Sequence, residues 1–155
     1  GTIEFDSATL YRYATVNVTG LRANLGDDTA TLRAVDAFLR AFVTSMPTGK
    51  QNTFANRTAP DAVVVMARED QPVNLVGAFE DAVVARGGYV EASAQALADH
   101  AVSLSAAYGT PPLATWVTAV GRKTASLAAL GEQLPFDELV AAATAQVRGA
   151  LEQSA

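Results

Sequence analysis

Between residues 29 and 46 the apolar side chains Leu32, Val35, Leu39, Phe42 and Met46 recur at steps of three and four, and Phe38 and Val43 widen the row. That spacing follows one face of an α-helix. Asp28 or Thr29 can cap its start, because a side-chain oxygen there accepts a backbone N–H that the helix leaves unpaired. Pro47 and Gly49 close it. A helix of this kind is marginal alone in water, so its apolar row has to be covered by another layer of the same chain.

Two stretches predict strands for that layer. Residues 9–18 alternate, with Leu10, Ala14, Val16 and Val18 on one face, interrupted by Arg12, and Tyr11, Tyr13, Thr15 and Asn17 on the other. Residues 62–67, Ala-Val-Val-Val-Met-Ala, form a continuous apolar run, as expected of a central strand covered on both faces. Leu21 and Leu25, between Gly20 and Gly26, allow a short helical turn. Further helices are expected over residues 75–86, capped by Asn74 and stopped by Gly87-Gly88, over residues 90–108, and over residues 136–153. In the second of these, Ala94, Leu97, Ala101, Leu104 and Tyr108 make the apolar stripe; in the third, Leu139, Val140, Ala143, Val147 and Leu151. Residues 113–121 predict another strand, and residues 48–60 a polar loop. The expected class is α+β, a small antiparallel sheet with helices packed on one face. The 155 residues, half of them hydrophobic, suit a single domain spanning 1–155.

The residue inventory narrows the chemistry. There is no cysteine and one histidine, His100, which excludes disulfides, thiolate zinc sites and imidazole clusters. His100 follows Asp99 on the polar side of its helix and reads as a boundary residue, not a general base. No H-E-x-x-H, G-x-S-x-G or Walker-type sequence occurs. The pairs Asp27-Asp28 and Glu69-Asp70 sit at turns, as caps and solvated carboxylates do. No enzyme activity, cofactor or metal is expected. No run approaches the roughly 20 apolar residues that cross a bilayer. The expectation is a soluble cytoplasmic protein with no membrane partner.

Binding is the more open possibility. Eleven basic against sixteen acidic residues leave a net charge of −5, so a nucleic acid could be held only by a local basic patch. Lys50, Gln51, Asn52 and Arg57 fall in a stretch with no acid. Such a loop can hold a phosphate backbone, or can simply be a polar loop. Tyr11 and Tyr13 beside Arg12 can stack bases from a strand face, or can be packing residues. Arg122-Lys123 is a further basic pair and reads as a solvated turn.

Several segments resemble, in order and spacing, the C-terminal part of the CasC family, the backbone subunit of the type I-E CRISPR surveillance complex, Cascade. These are Gly1-Thr2-Ile3-Glu4-Phe5 with Tyr11-Arg12-Tyr13-Ala14, then Asn24-Leu25-Gly26, then Pro47-Thr48-Gly49-Lys50-Gln51-Asn52-Thr53, then Pro60-Asp61, and finally Ala78-Phe79-Glu80 with Ala85-Arg86-Gly87-Gly88-Tyr89. Residues 1–110 match well, and residues 111–155 more loosely.

The resemblance implies a C-terminal fragment of a longer subunit, with a partial RRM-like (ferredoxin-like) core. It implies a non-catalytic role in antiviral defence, copies assembling head to tail along a CRISPR RNA. Other Cascade subunits and target DNA would be further partners. It makes Lys50, Gln51 and Asn52, with Arg57 from the same loop, the candidate RNA contacts, followed by Arg12 and Tyr13. Arg86 becomes a candidate contact for target DNA, although Asp81 and Val84 depart from a more basic pattern on that segment. The alternative expectation is a structural protein–protein interaction module without an RNA surface of its own.

Overall fold

A computed structural model of the chain describes residues 9–45 and 59–155. In order, the elements are α1 (Val18–Leu25), α2 (Asp28–Thr44), β1 (Ala62–Ala67), a first 3-10 helix (Leu75–Phe79), α3 (Val90–Tyr108), β2 (Ala114–Ala119), a second 3-10 helix (Arg122–Ala129), β3 (Glu132–Gln133) and α4 (Phe136–Gln153).

The sheet runs β1-β2-β3. β1 and β2 are antiparallel, with Val64 opposite Val117 and Val65 opposite Trp116. β2 and β3 are parallel over Trp116–Glu132 and Val117–Gln133. Gly131 allows this approach: a Cβ there would overlap the backbone carbonyl of Thr115. The α+β class therefore stands, with a mixed sheet in place of a purely antiparallel one.

Strand side chains alternate between faces, and the two faces of β2 carry different cores. Val117 lies with Val64, Ala94, Ala98 and Leu127, which puts α3 and the second 3-10 helix over one face. Trp116 lies with Val65, Leu139, Val140, Ala143 and Leu39, which puts α4 and α2 over the other. Helices therefore cover both faces, not the one face expected. The physical reason is visible in the strands, where apolar residues occupy consecutive positions and each needs cover. Complete burial of a Leu or Val side chain contributes about 1.5–3 kcal/mol, and Val117, Leu139 and Val140 are fully buried. The alanines of α3 let that helix approach closely, while Tyr108, expected on its stripe, is exposed.

Residues 9–17 contain no strand, contrary to the alternation seen there. Asn17 is the N-cap of α1, its side chain accepting from the Gly20 N–H at 3.0 Å. Gly26, at φ 67°, closes α1 by donating to the Arg22 carbonyl at 2.8 Å. Asp27 then caps α2, accepting from the Ala30 N–H at 2.9 Å. Arg22 pairs with Asp28 at 2.8 Å and donates to the Ser154 hydroxyl at 2.8 Å, joining the α1–α2 corner to the end of α4.

The helix expected over 75–86 is reduced to the 3-10 helix Leu75–Phe79, started by Asn74 accepting from the Val76 N–H. Only Leu75 of this helix is buried, and Val76 and Val84 are exposed. Cover ends with the first turn: past Phe79, Ala82 and Val84 are exposed, and a partly covered stripe does not sustain a longer helix.

Candidate nucleic-acid interface

Residues 9–13 are placed by side chains in the absence of a β ladder. The Tyr11 hydroxyl donates to Asn74 Oδ1 at 3.1 Å and accepts from the Leu75 N–H at 3.1 Å. Its ring meets that of Phe79 with centroids 5.4 Å apart. Burial raises the phenol pKa above its ordinary value, the Leu75 N–H acting against that and the neighbouring Tyr13 adding to it. Tyr11 thus fixes the first 3-10 helix to the extended segment.

The Arg12 guanidinium lies over the Phe42 ring, 4.5 Å from its centroid, and donates to the Phe42 carbonyl at 3.1 Å. A cation at this end of α2 also complements the negative end of the helix dipole. Phe42 in turn stacks on Phe38, with centroids 5.9 Å apart. Tyr13 remains 40% exposed. Tyr13 follows Arg12 on the extended segment that leads into α1.

Lys50, Gln51, Asn52 and Arg57 lie outside the described residues. Arg86 is described and exposed, and precedes Gly87 and Gly88, both in positive-φ conformations. Arg122 and Lys123 stand at the start of the second 3-10 helix. The Lys123 ammonium is 3.8 Å from the position a Cβ would take on Gly88. Two basic segments separated by more than thirty residues are thus neighbours, a placement that residue spacing alone does not reveal.

His100 is half-buried and lies against Gly77, whose Cβ, if present, would stand 3.0 Å from Nε2. It packs α3 onto the first 3-10 helix. Among the described residues no group of three or more His, Asp or Glu side chains could hold a metal ion, and no helix is long and apolar enough to cross a membrane.

Residues 1–142 match the sequence model of the family described as CT1975-like protein. The fold matches a chain of a structure titled "CRISPR RNA-guided surveillance complex", with 38% identity and a TM-score of 0.73, covering 83% of this chain and 50% of that one. It also matches a chain of "CRISPR RNA-guided surveillance complex, pre-nicking", with 36% identity and a TM-score of 0.78, covering 85% of this chain and 36% of that one. The chain therefore spans about half the length of the first and about a third of the second. No curated protein matches.

Proposed function

The chain belongs to the CT1975-like protein family, and from that membership we propose that it acts as a non-catalytic, RNA-binding part of the backbone of a type I-E Cascade surveillance complex. The likeness to the CasC family read from the sequence agrees with this, and the chain is a member of the Cascade backbone family. The observation that carries the reading is the combined sequence and fold match to chains of two CRISPR RNA-guided surveillance complexes.

In this reading Lys50, Gln51, Asn52 and Arg57 hold the phosphates of the guide RNA. Charge and hydrogen bonds of that kind position a nucleic acid without reading its bases. Tyr13 and Arg12 support the same strand, Arg12 from its seat on Phe42. Arg86 faces target DNA. Successive copies join head to tail, because a heterologous contact repeats along a guide where a two-fold contact would stop at a pair. The net charge of −5 fits a part that binds RNA within an assembly and not alone. The complex works in the cytoplasm in antiviral defence, and the subunit uses no cofactor.

The double variant Lys50→Ala with Arg57→Ala tests this in the assembled complex. Loss of two phosphate contacts to a single strand should lower the slope of log affinity against log salt by about 1.4. Guide RNA should then dissociate at lower salt than from the parent complex. Unchanged retention and slope would refute the RNA role and favour a structural protein–protein interaction module. The feature that speaks for this second reading is the engagement of Tyr11 and Arg12 in contacts within the chain.

A further inference from the structure

We propose that Tyr11 is a positioning residue that holds the Tyr13 ring ready to stack on a base of the guide RNA; this rests on the reading of the chain as an RNA-binding backbone subunit.

Three consecutive side chains, Tyr11, Arg12 and Tyr13, have three different fates. The Tyr11 hydroxyl is used twice within the chain, donating to Asn74 Oδ1 and accepting from the Leu75 N–H, each at 3.1 Å. Asn74 Oδ1 also accepts from the Val76 N–H at 3.0 Å, so Tyr11 and Asn74 together close the start of the first 3-10 helix. The Tyr11 ring reaches the other end of that helix, at Phe79. The helix is itself seated, through the buried Leu75 and through Gly77, whose missing side chain lets His100 of α3 come close. Arg12 is fixed to α2, its guanidinium over the Phe42 ring and bonded to the Phe42 carbonyl. The segment is tied down again at Asn17, the cap of α1.

Tyr13 lies between these ties and shares none of them. Its side chain has no hydrogen-bond or ring partner among the described residues, and it is 40% exposed. A ring on a backbone already fixed has only two side-chain torsions left to lose on binding, which is the advantage of preorganisation. Stacking on such a ring tolerates any sequence, because every base has a π-face. The internal engagement of Tyr11 and Arg12, which by itself suits a purely structural module, here serves to present the residue that follows them.

The test is a double-mutant cycle in the assembled complex, with guide RNA as the probe, at a temperature where every variant is folded. Tyr13→Ala should weaken guide binding by at least about fivefold, while Tyr13→Phe should bind as the parent does. Tyr11→Phe, which keeps its own ring but frees the segment, should weaken binding by about threefold. The pair Tyr11→Phe with Tyr13→Ala should be no worse than Tyr13→Ala alone, since a positioning residue has nothing left to position. No cation is removed, so the salt slope should stay at the parent's value throughout. Parent affinity in Tyr11→Phe, or losses that multiply in the pair, would reduce Tyr11 to a structural role and overturn the proposal. Parent affinity in Tyr13→Ala would overturn it as well. Failure of the unaltered complex to hold guide RNA would instead refute the underlying function. If Tyr11→Phe does not assemble, Asn74→Ala removes the acceptor of its hydroxyl and takes its place in the cycle, with the same outcomes expected and the same ones fatal.

Discussion

Replacing Gly131 with alanine should be among the most damaging single-methyl changes available to this chain. The added Cβ would stand 2.1 Å from the Thr115 carbonyl oxygen, 2.6 Å from its carbon and 2.8 Å from Thr115 Cβ, where ordinary contact begins at 3.4 Å. More than 1 Å must be found, and every close atom belongs to β2 or its first side-chain carbon. The strand cannot yield easily, because β1 holds it along its full length. β3 must therefore move away. Moving it endangers the Leu134 N–H to Val117 carbonyl bond at 2.9 Å and the Thr118 hydroxyl to Leu134 carbonyl bond at 2.8 Å. Overpacking costs about 1–3 kcal/mol and each weakened hydrogen bond about 0.5–1.5 kcal/mol, so a loss of about 2–4 kcal/mol is expected. For a chain of this size that lowers Tm by about 4–16 °C. Gly149→Ala in α4 is the internal control. Nothing lies within 4 Å of its Cβ position, and removing a helix-interior glycine should stabilise by about 0.5–1 kcal/mol. Thermal and urea unfolding followed by circular dichroism would measure both. A Gly131→Ala protein as stable as the parent would show that β3 is not seated against Thr115.

Tyr11→Phe keeps the ring on Phe79 but removes the hydroxyl that serves Asn74 and Leu75, so urea unfolding should show a loss of about 1–2 kcal/mol, whereas Tyr13→Phe should change little. Arg68 holds Asp70 with two bonds of 2.8 Å and keeps its carboxyl pKa below the ordinary value. The folded value is the lower one, so the pair's contribution is complete above the unfolded value of about 3.9 and is lost as pH falls through the folded value. Stability curves of the parent and of Asp70→Asn should accordingly converge in acid, and curves that stay parallel to the lowest pH would contradict the pairing.

Elements whose apolar pattern coincides with burial were legible from the residues. The spans read for β1, α3 and α4 are the observed ones, and α2 differs only at its ends. Where pattern and burial part company, the reading failed. Residues 9–18 alternate as a strand does, yet the cap at Asn17 starts a helix at Val18, and side-chain bonds, not a ladder, fix what precedes it. Residues 75–86 carry a helical stripe of which only Leu75 is buried. β3 is two residues long and owes its place to a glycine, a signal too short for periodicity to register. The nearness of Gly88 to Lys123 depends on the packing of the second 3-10 helix on α3, which no local pattern encodes.

The double roof over β2 has a consequence for any nucleic acid that meets this fold. Readers of the RRM type lay bases flat on an open β surface. Here Trp116 points into one helical layer and Val117 into the other, so neither side of β2 offers such a platform. What remains is the margin: loop tips and turns, which meet sugar and phosphate, the parts common to every nucleotide. On the proposed RNA role, such a margin would hold any guide alike, because contacts to sugar and phosphate carry no base information.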